Sequence, residues 1–111
     1  MYFNTRSLIP KLDELRLICA TSSPHIVCVV ETWLGREISD SEIAINDYNI
    51  TRLDRNRHGG GIAFYIRSDL HSEIVLKQPY DLEFILLSVV NLKSSYKVHL
   101  GLFLSSPKFT I

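Results

Sequence analysis

The run Ile26-Val27-Cys28-Val29-Val30 is apolar without a break, and the next side chain is Glu31, followed by Thr32 and Trp33. An ionised carboxylate at the mouth of a core strand is costly unless an opposite charge meets it. A magnesium ion, which prefers oxygen ligands, is a natural partner for such a group. Open α/β sheets bind their ligands just beyond the carboxyl ends of strands, and Glu31 occupies such an end. Asn4 stands in the same kind of place if residues 1 to 3 end a parallel neighbouring strand. An amide there can orient an acidic ligand, a phosphate or a water. Residue type alone leaves the plainer readings open: a half-exposed carboxylate without a role, and a turn-forming asparagine.

A second group of candidates lies in "RLDRNRHGGG". Arg52, Arg55, Arg57 and His58 gather beside Gly59-Gly60-Gly61, whose backbone N–H groups can approach an anion. A nucleic-acid phosphate backbone is a sensible target for that cluster. The competing reading is a solvated turn in which Asp54 balances one arginine. The glycines form neither G-x-G-x-x-G nor a Walker loop. His25, His71 and His99 have no second histidine at metal spacing and read as structural or surface groups. No Ser/His/Asp set or G-x-S-x-G elbow supports nucleophilic catalysis.

Elements must hold these residues in place. Residues 1 to 3 read as the end of a strand, with Asn4 just past it. Leu8, Leu12, Leu15 and Cys19 recur at helical spacing, so residues 8 to 20 are expected to form one amphipathic helix. Ser7 would cap it and Pro10 would sit in its first turn. Residues 21 to 24 break the helix. Ile26 to Val30, rich in β-branched residues and without polar alternation, reads as an inner strand covered on both faces. A short helical turn near Ser41 to Ile43 precedes strands at 48–53, 62–67, 73–76, 84–91 and 96–104. The last two form a hairpin candidate around "LKSS". The order predicts a mixed α/β sheet.

Composition sets the outer bounds. The 111 residues are 46% hydrophobic and 22% charged, enough for a core and against disorder. Twelve basic residues match twelve acidic ones, which removes overall basicity as an argument for nucleic-acid binding. Two cysteines, Cys19 and Cys28, without C-x-x-C spacing, read as buried free thiols in a reducing compartment. No stretch is long enough for a membrane span, and no secretory signal stands at the N-terminus. An intracellular, nuclear or cytoplasmic, non-secreted protein is the expectation.

"NTRSL" with "K-x-x-E-L" on a helix, then "ETWL", "Y-x-x-x-R-x-D-R" and "GGGIAFYIR" together resemble the endonuclease domain of non-LTR retrotransposons, in the manner of chicken-repeat and jockey-type elements. Those domains belong to the endonuclease/exonuclease/phosphatase superfamily. The resemblance spans about residues 3 to 104. It implies a four-layer α/β sandwich of mixed sheets and a magnesium-dependent phosphodiesterase that nicks DNA. It implies that Glu31 is the metal ligand and Asn4 an active-site asparagine, with Arg55 and the three glycines near the site. Where relatives carry a Tyr-Arg-Pro-Pro-like segment this chain has "LFLSSP", with Leu104 at the tyrosine position. A later Gly-Asp-Phe-Asn motif, aspartate and histidine have no counterpart. Residues 1 to 111 are therefore expected to be the N-terminal half of one such domain, inactive alone, with one sheet face left for the missing half or another chain. The alternative is a non-catalytic module that binds nucleic acid or another anion through Arg52, Arg55 and Arg57.

Overall fold

The computed structural model describes residues 1–55, 59–78, 82–91, 93–94 and 96–105. Arg57 and His58 lie outside them, and so does the side chain of Leu104.

Strand β1 (Tyr2–Asn4) leads through a 3-10 turn (Ile9–Lys11) into helix α1 (Leu12–Ser22) and then β2 (Ile26–Val30). A second 3-10 turn (Asp40–Ile43) precedes β3 (Tyr48–Leu53) and β4 (Ile62–Arg67). Strands β5 (His71–Gln78), β6 (Leu82–Asn91) and β7 (Tyr96–Ser105) complete the elements of the described residues. One sheet has the order β1-β2-β4-β3, the other β5-β6-β7. Strand β1 runs parallel to β2, and every other pairing is antiparallel.

Two cores result, one on each face of the first sheet. Val27 and Val29 point toward α1 and pack with Leu8, Leu12, Leu15, Cys19, Ala63 and Tyr65. Val30, Ile62, Phe64 and Ile66 face the second sheet and meet Ile85, Leu87, Val89 and Leu102. Successive strand residues point to opposite faces, so an unbroken apolar run such as Ile26–Val30 fills both cores. Among the described residues the layers are helix, sheet, sheet: a mixed α/β architecture.

The helix differs from its expectation at both ends. Residues 9 to 11 wind as a 3-10 turn, with Pro10 in that first turn, and α1 continues to Ser22. Ser7 caps nothing: its φ is 89°, and its N–H donates to the Glu31 carbonyl at 2.9 Å. Leu8 likewise donates to the Thr32 carbonyl at 2.9 Å. Long-range backbone bonds to the exit of β2 thus replace local capping. The helix ends on Ser23, held at φ 45° with its N–H on the Cys19 carbonyl.

Tyr65 is fully buried in the helix-side core, and its hydroxyl donates to the Ile43 carbonyl at 2.7 Å. That bond ties the second 3-10 turn to β4 and satisfies a polar group that burial would otherwise penalise. Burial drives the phenol far above its ordinary range.

Candidate active site

The parallel register aligns Asn4 with Val30, so Glu31 follows the position beside Asn4 as β2 ends. Glu31 has φ 58° and Trp33 has φ 54°, a left-handed backbone that non-glycine side chains disfavour. Each such residue costs on the order of 1–3 kcal/mol, and it persists only where its surroundings over-determine it. Here they do so from both sides. Ser7 and Leu8 donate to the carbonyls of Glu31 and Thr32. Thr32 and Trp33 donate in turn to the carbonyls of Gly61 at 3.2 Å and Gly60 at 2.9 Å. Thr5 adds a hydroxyl bond to the Glu31 carbonyl at 3.0 Å. The exit of β2 is clamped between the segment after β1 and the glycine turn before β4.

The half-buried Glu31 carboxylate reaches that glycine turn. Its Oε2 accepts the Trp33 indole N–H at 2.6 Å and the Gly60 N–H at 3.3 Å. Gly60 and Gly61 have φ of 69° and 89°. A Cβ at Gly60 would collide with the Arg55 guanidinium and the Glu83 carboxylate, and one at Gly61 with Thr32 Oγ1. Only glycine fits this crowded, left-handed turn.

Glu83, which sequence reasoning did not single out, lies on the other side of the turn. It stands near the start of β6, fully buried, on the same inward face as Ile85, Leu87 and Val89. Its Oε2 accepts the Gly61 N–H at 2.8 Å. Its Oε1 makes no hydrogen bond and lies 3.5 Å from Arg55 Nε. Burial pushes its carboxyl above the ordinary glutamate range; the Gly61 N–H and Arg55 oppose that, while the charges of Glu31 and Asp54 add to it. The signal that could have found it is alternation: Glu83, Ile85, Leu87 and Val89 share one parity, but beginning the strand at Phe84 leaves the glutamate outside.

The loop candidates separate. Arg52 Nε and Nη2 reach Asp54, at 3.0 and 2.7 Å; Nη1 reaches Asp40 at 3.1 Å and Nη2 the Gly35 carbonyl at 3.2 Å. Its guanidinium braces the segment between β2 and β3 to the end of β3. Arg55 lies over Gly59 and Gly60, drawn toward Glu83. Asn4 is exposed at the end of β1 and lines a cavity of about 180 Å³ with Phe3, Thr5, Lys11, Glu14, Leu15 and Ile18. Glu31 does not line that cavity, so the two strand ends are adjacent without sharing this hollow.

Among the described residues no three His, Cys, Asp or Glu side chains converge as a metal cluster. Glu31 therefore offers a single carboxylate. That donor set fits magnesium, which keeps several waters and is bound through one or two carboxylates plus substrate phosphates. It does not fit a closed zinc site, which needs four protein ligands. Both described bonds to Glu31 fall on Oε2.

No family profile matches the chain, and no curated protein matches it. A solved structure does: the human Nocturnin catalytic domain with bound sulfate anion, at 12% identity and a TM-score of 0.61. The match covers 91% of this chain and 46% of that one, so this chain spans about half of that domain's length. At that identity the likeness is one of fold, and the fold is of the endonuclease/exonuclease/phosphatase type.

Proposed function

We propose that this chain is part of a metal-dependent phosphodiester hydrolase of the retrotransposon DNA-endonuclease kind. The carrying observation is the clamped exit of β2. It sets Glu31 just past the end of a parallel strand pair, in a left-handed backbone held by bonds from the segments on both sides. Three features support the reading: the sequence resemblance in four ordered motifs, the fold shared with a nuclease/phosphatase-type domain, and the left-handed φ at Glu31.

In this reading Glu31 is the carboxylate that holds Mg2+, with Trp33 and Gly60 fixing its orientation. The ion, when bound, polarises a phosphoryl oxygen and stabilises the leaving oxyanion. Asn4 orients the phosphate from the adjacent strand end. Arg55 places positive charge near the anionic DNA backbone, with Arg57 and His58 in the same loop. These residues make up only part of the groups needed to activate a water, so the 111 residues alone do not turn over DNA. Members of a catalytic unit act together, and activity collapses when some are absent.

The alternative of a non-catalytic anion-binding module through Arg52, Arg55 and Arg57 is less well supported. The Arg52 guanidinium is already engaged by Asp54, Asp40 and a carbonyl.

The test is a supercoiled-plasmid nicking assay in Mg2+ beside a Mg2+ titration of Trp33 emission, for the chain and for Glu31→Gln. No nicking by the chain is expected, with a saturable emission change that Glu31→Gln abolishes. An emission response that survives in Glu31→Gln would overturn the assignment of Glu31. Nicking by the chain alone would overturn its inactivity.

A further inference from the structure

The two acidic groups beside the glycine turn are built differently. Glu31 stands at the end of a strand of the first sheet and presents a half-buried carboxylate. Glu83 comes from the second sheet and has no exposed surface. A fully buried carboxylate with one oxygen lacking a hydrogen bond is expensive. A glutamine or a hydrophobic residue in its place would avoid the charge penalty. What the charge does here is legible from its two neighbours. Oε2 holds the Gly61 N–H at 2.8 Å, and Oε1 faces Arg55 Nε at 3.5 Å.

Those contacts continue to Glu31 by a short chain of named atoms. Arg55 lies over Gly59 and Gly60 so closely that a Cβ at either glycine would strike its guanidinium. Gly60 in turn donates its N–H to Glu31 Oε2 at 3.3 Å, and its carbonyl accepts the Trp33 N–H at 2.9 Å. Glu83 thus anchors the Gly61 amide from below while drawing Arg55 across the turn. The Gly60 N–H, between those two restraints, is left aimed at Glu31. Without them a run of three glycines would sample many backbone states, since glycine loses more freedom on ordering than any other residue.

We propose that Glu83 is a positioning residue for Glu31: from the second sheet it locks the Gly60-Gly61 turn, jointly with Arg55, and so fixes the carboxylate that meets the divalent cation. This rests on the reading of Glu31 as a magnesium ligand. Groups that orient a metal ligand through hydrogen bonds typically change metal affinity by 10- to 100-fold when replaced.

The chain carries its own reporter. Trp33 is the single tryptophan, and its indole N–H is bonded to Glu31 Oε2 at 2.6 Å. Its emission therefore follows the state of that carboxylate, and it can sensitise a Tb3+ ion bound there. The experiment titrates Mg2+ against Trp33 emission, with Tb3+ luminescence as a second readout. The chain is compared with Glu31→Gln, Glu83→Gln, Arg55→Gln and the double variant Glu83→Gln/Arg55→Gln, each checked by circular dichroism and thermal melting.

Positioning predicts that Glu83→Gln and Arg55→Gln each weaken Mg2+ roughly tenfold. The double variant should be no worse than the weaker single one, because both remove the same restraint. A through-space charge effect predicts the opposite for the arginine: losing a cation would tighten Mg2+ binding. Tighter binding by Arg55→Gln, additive effects, or unchanged affinity in Glu83→Gln would each overturn the proposal. If Glu83→Gln fails to fold, Arg55→Gln still decides it by the sign of its effect. No Mg2+ response in the unaltered chain, or one retained in Glu31→Gln, instead sinks the underlying reading of Glu31.

Discussion

At the scale of single residues, the informative feature is how differently the structure treats its carboxylates. Asp54, Asp40 and Asp69 sit beside arginines at partly exposed positions, where an ion pair contributes little to stability. Glu31 accepts two N–H groups at a strand exit, and Glu83 is buried against one N–H and one guanidinium. Burial raises the Glu83 carboxyl above its ordinary range in the folded chain. Between the ordinary and the raised value, the folded chain holds a proton that the unfolded chain has released. The favourable contribution is therefore complete at acid pH below the ordinary glutamate range, and it is lost as pH rises through the folded value. Melting temperatures of the chain and Glu83→Gln across mildly acidic to neutral pH should show it. The unaltered chain is expected to lose more stability than the variant as pH rises, and parallel profiles would contradict the raised value.

At the scale of elements, each candidate group depends on a local conformation stabilised from a distance. Helix α1 shows the principle away from the site. Leu12, Leu15 and Cys19 recur at the spacing that buries one face, and those residues are indeed buried. Its end falls on Ser23 in the left-handed region, a conformation that L-residues other than glycine and asparagine pay about 1–2 kcal/mol to adopt. Ser23→Gly should therefore raise the unfolding free energy by about 1 kcal/mol. The Ser23 carbonyl that accepts Arg67 at 2.8 Å is kept in that variant. Urea unfolding with an unchanged slope measures it, and a loss of stability would show that the cap is not strained. Strand β4 was likewise legible in advance. Residues 62 to 66 alternate between the two cores and are all fully buried.

At the scale of the whole molecule, the candidate site is built where two sheets meet at one glycine turn. The first sheet brings Asn4 and Glu31 to adjacent strand ends, and the second sends Glu83 in from below. The second sheet is less well covered than the first. Ile74, Val75, Leu76 and Val98 are about half exposed, around a register shift between Ile74 and Leu76. Exposed apolar strand surface of this kind promotes self-association. The pair Val75→Lys and Leu76→Lys should lower concentration-dependent light scattering while leaving the unfolding midpoint within experimental spread. Scattering unchanged by the two lysines would place the sticky surface elsewhere.

The sequence by itself determined the elements and the mixed α/β class. The periods of 3.6 and 2 in its apolar residues are local properties, readable in α1, β2 and β4 without knowledge of any partner. It also marked Glu31, because a carboxylate closing an apolar run is locally anomalous. Only the tertiary structure decided the rest. Ser7 reads as a helix cap from its neighbours, yet the exit of β2 claims its N–H. Arg52 reads as an anion ligand, yet Asp40 and Asp54 meet its donors across the fold. Glu83 falls just before the strand expected at 84–91, yet the packing of one sheet on the other buries it beside Gly61 and Arg55. A side chain's partner is set by which backbones are brought together, and that is a property of long-range pairing rather than of neighbouring residues.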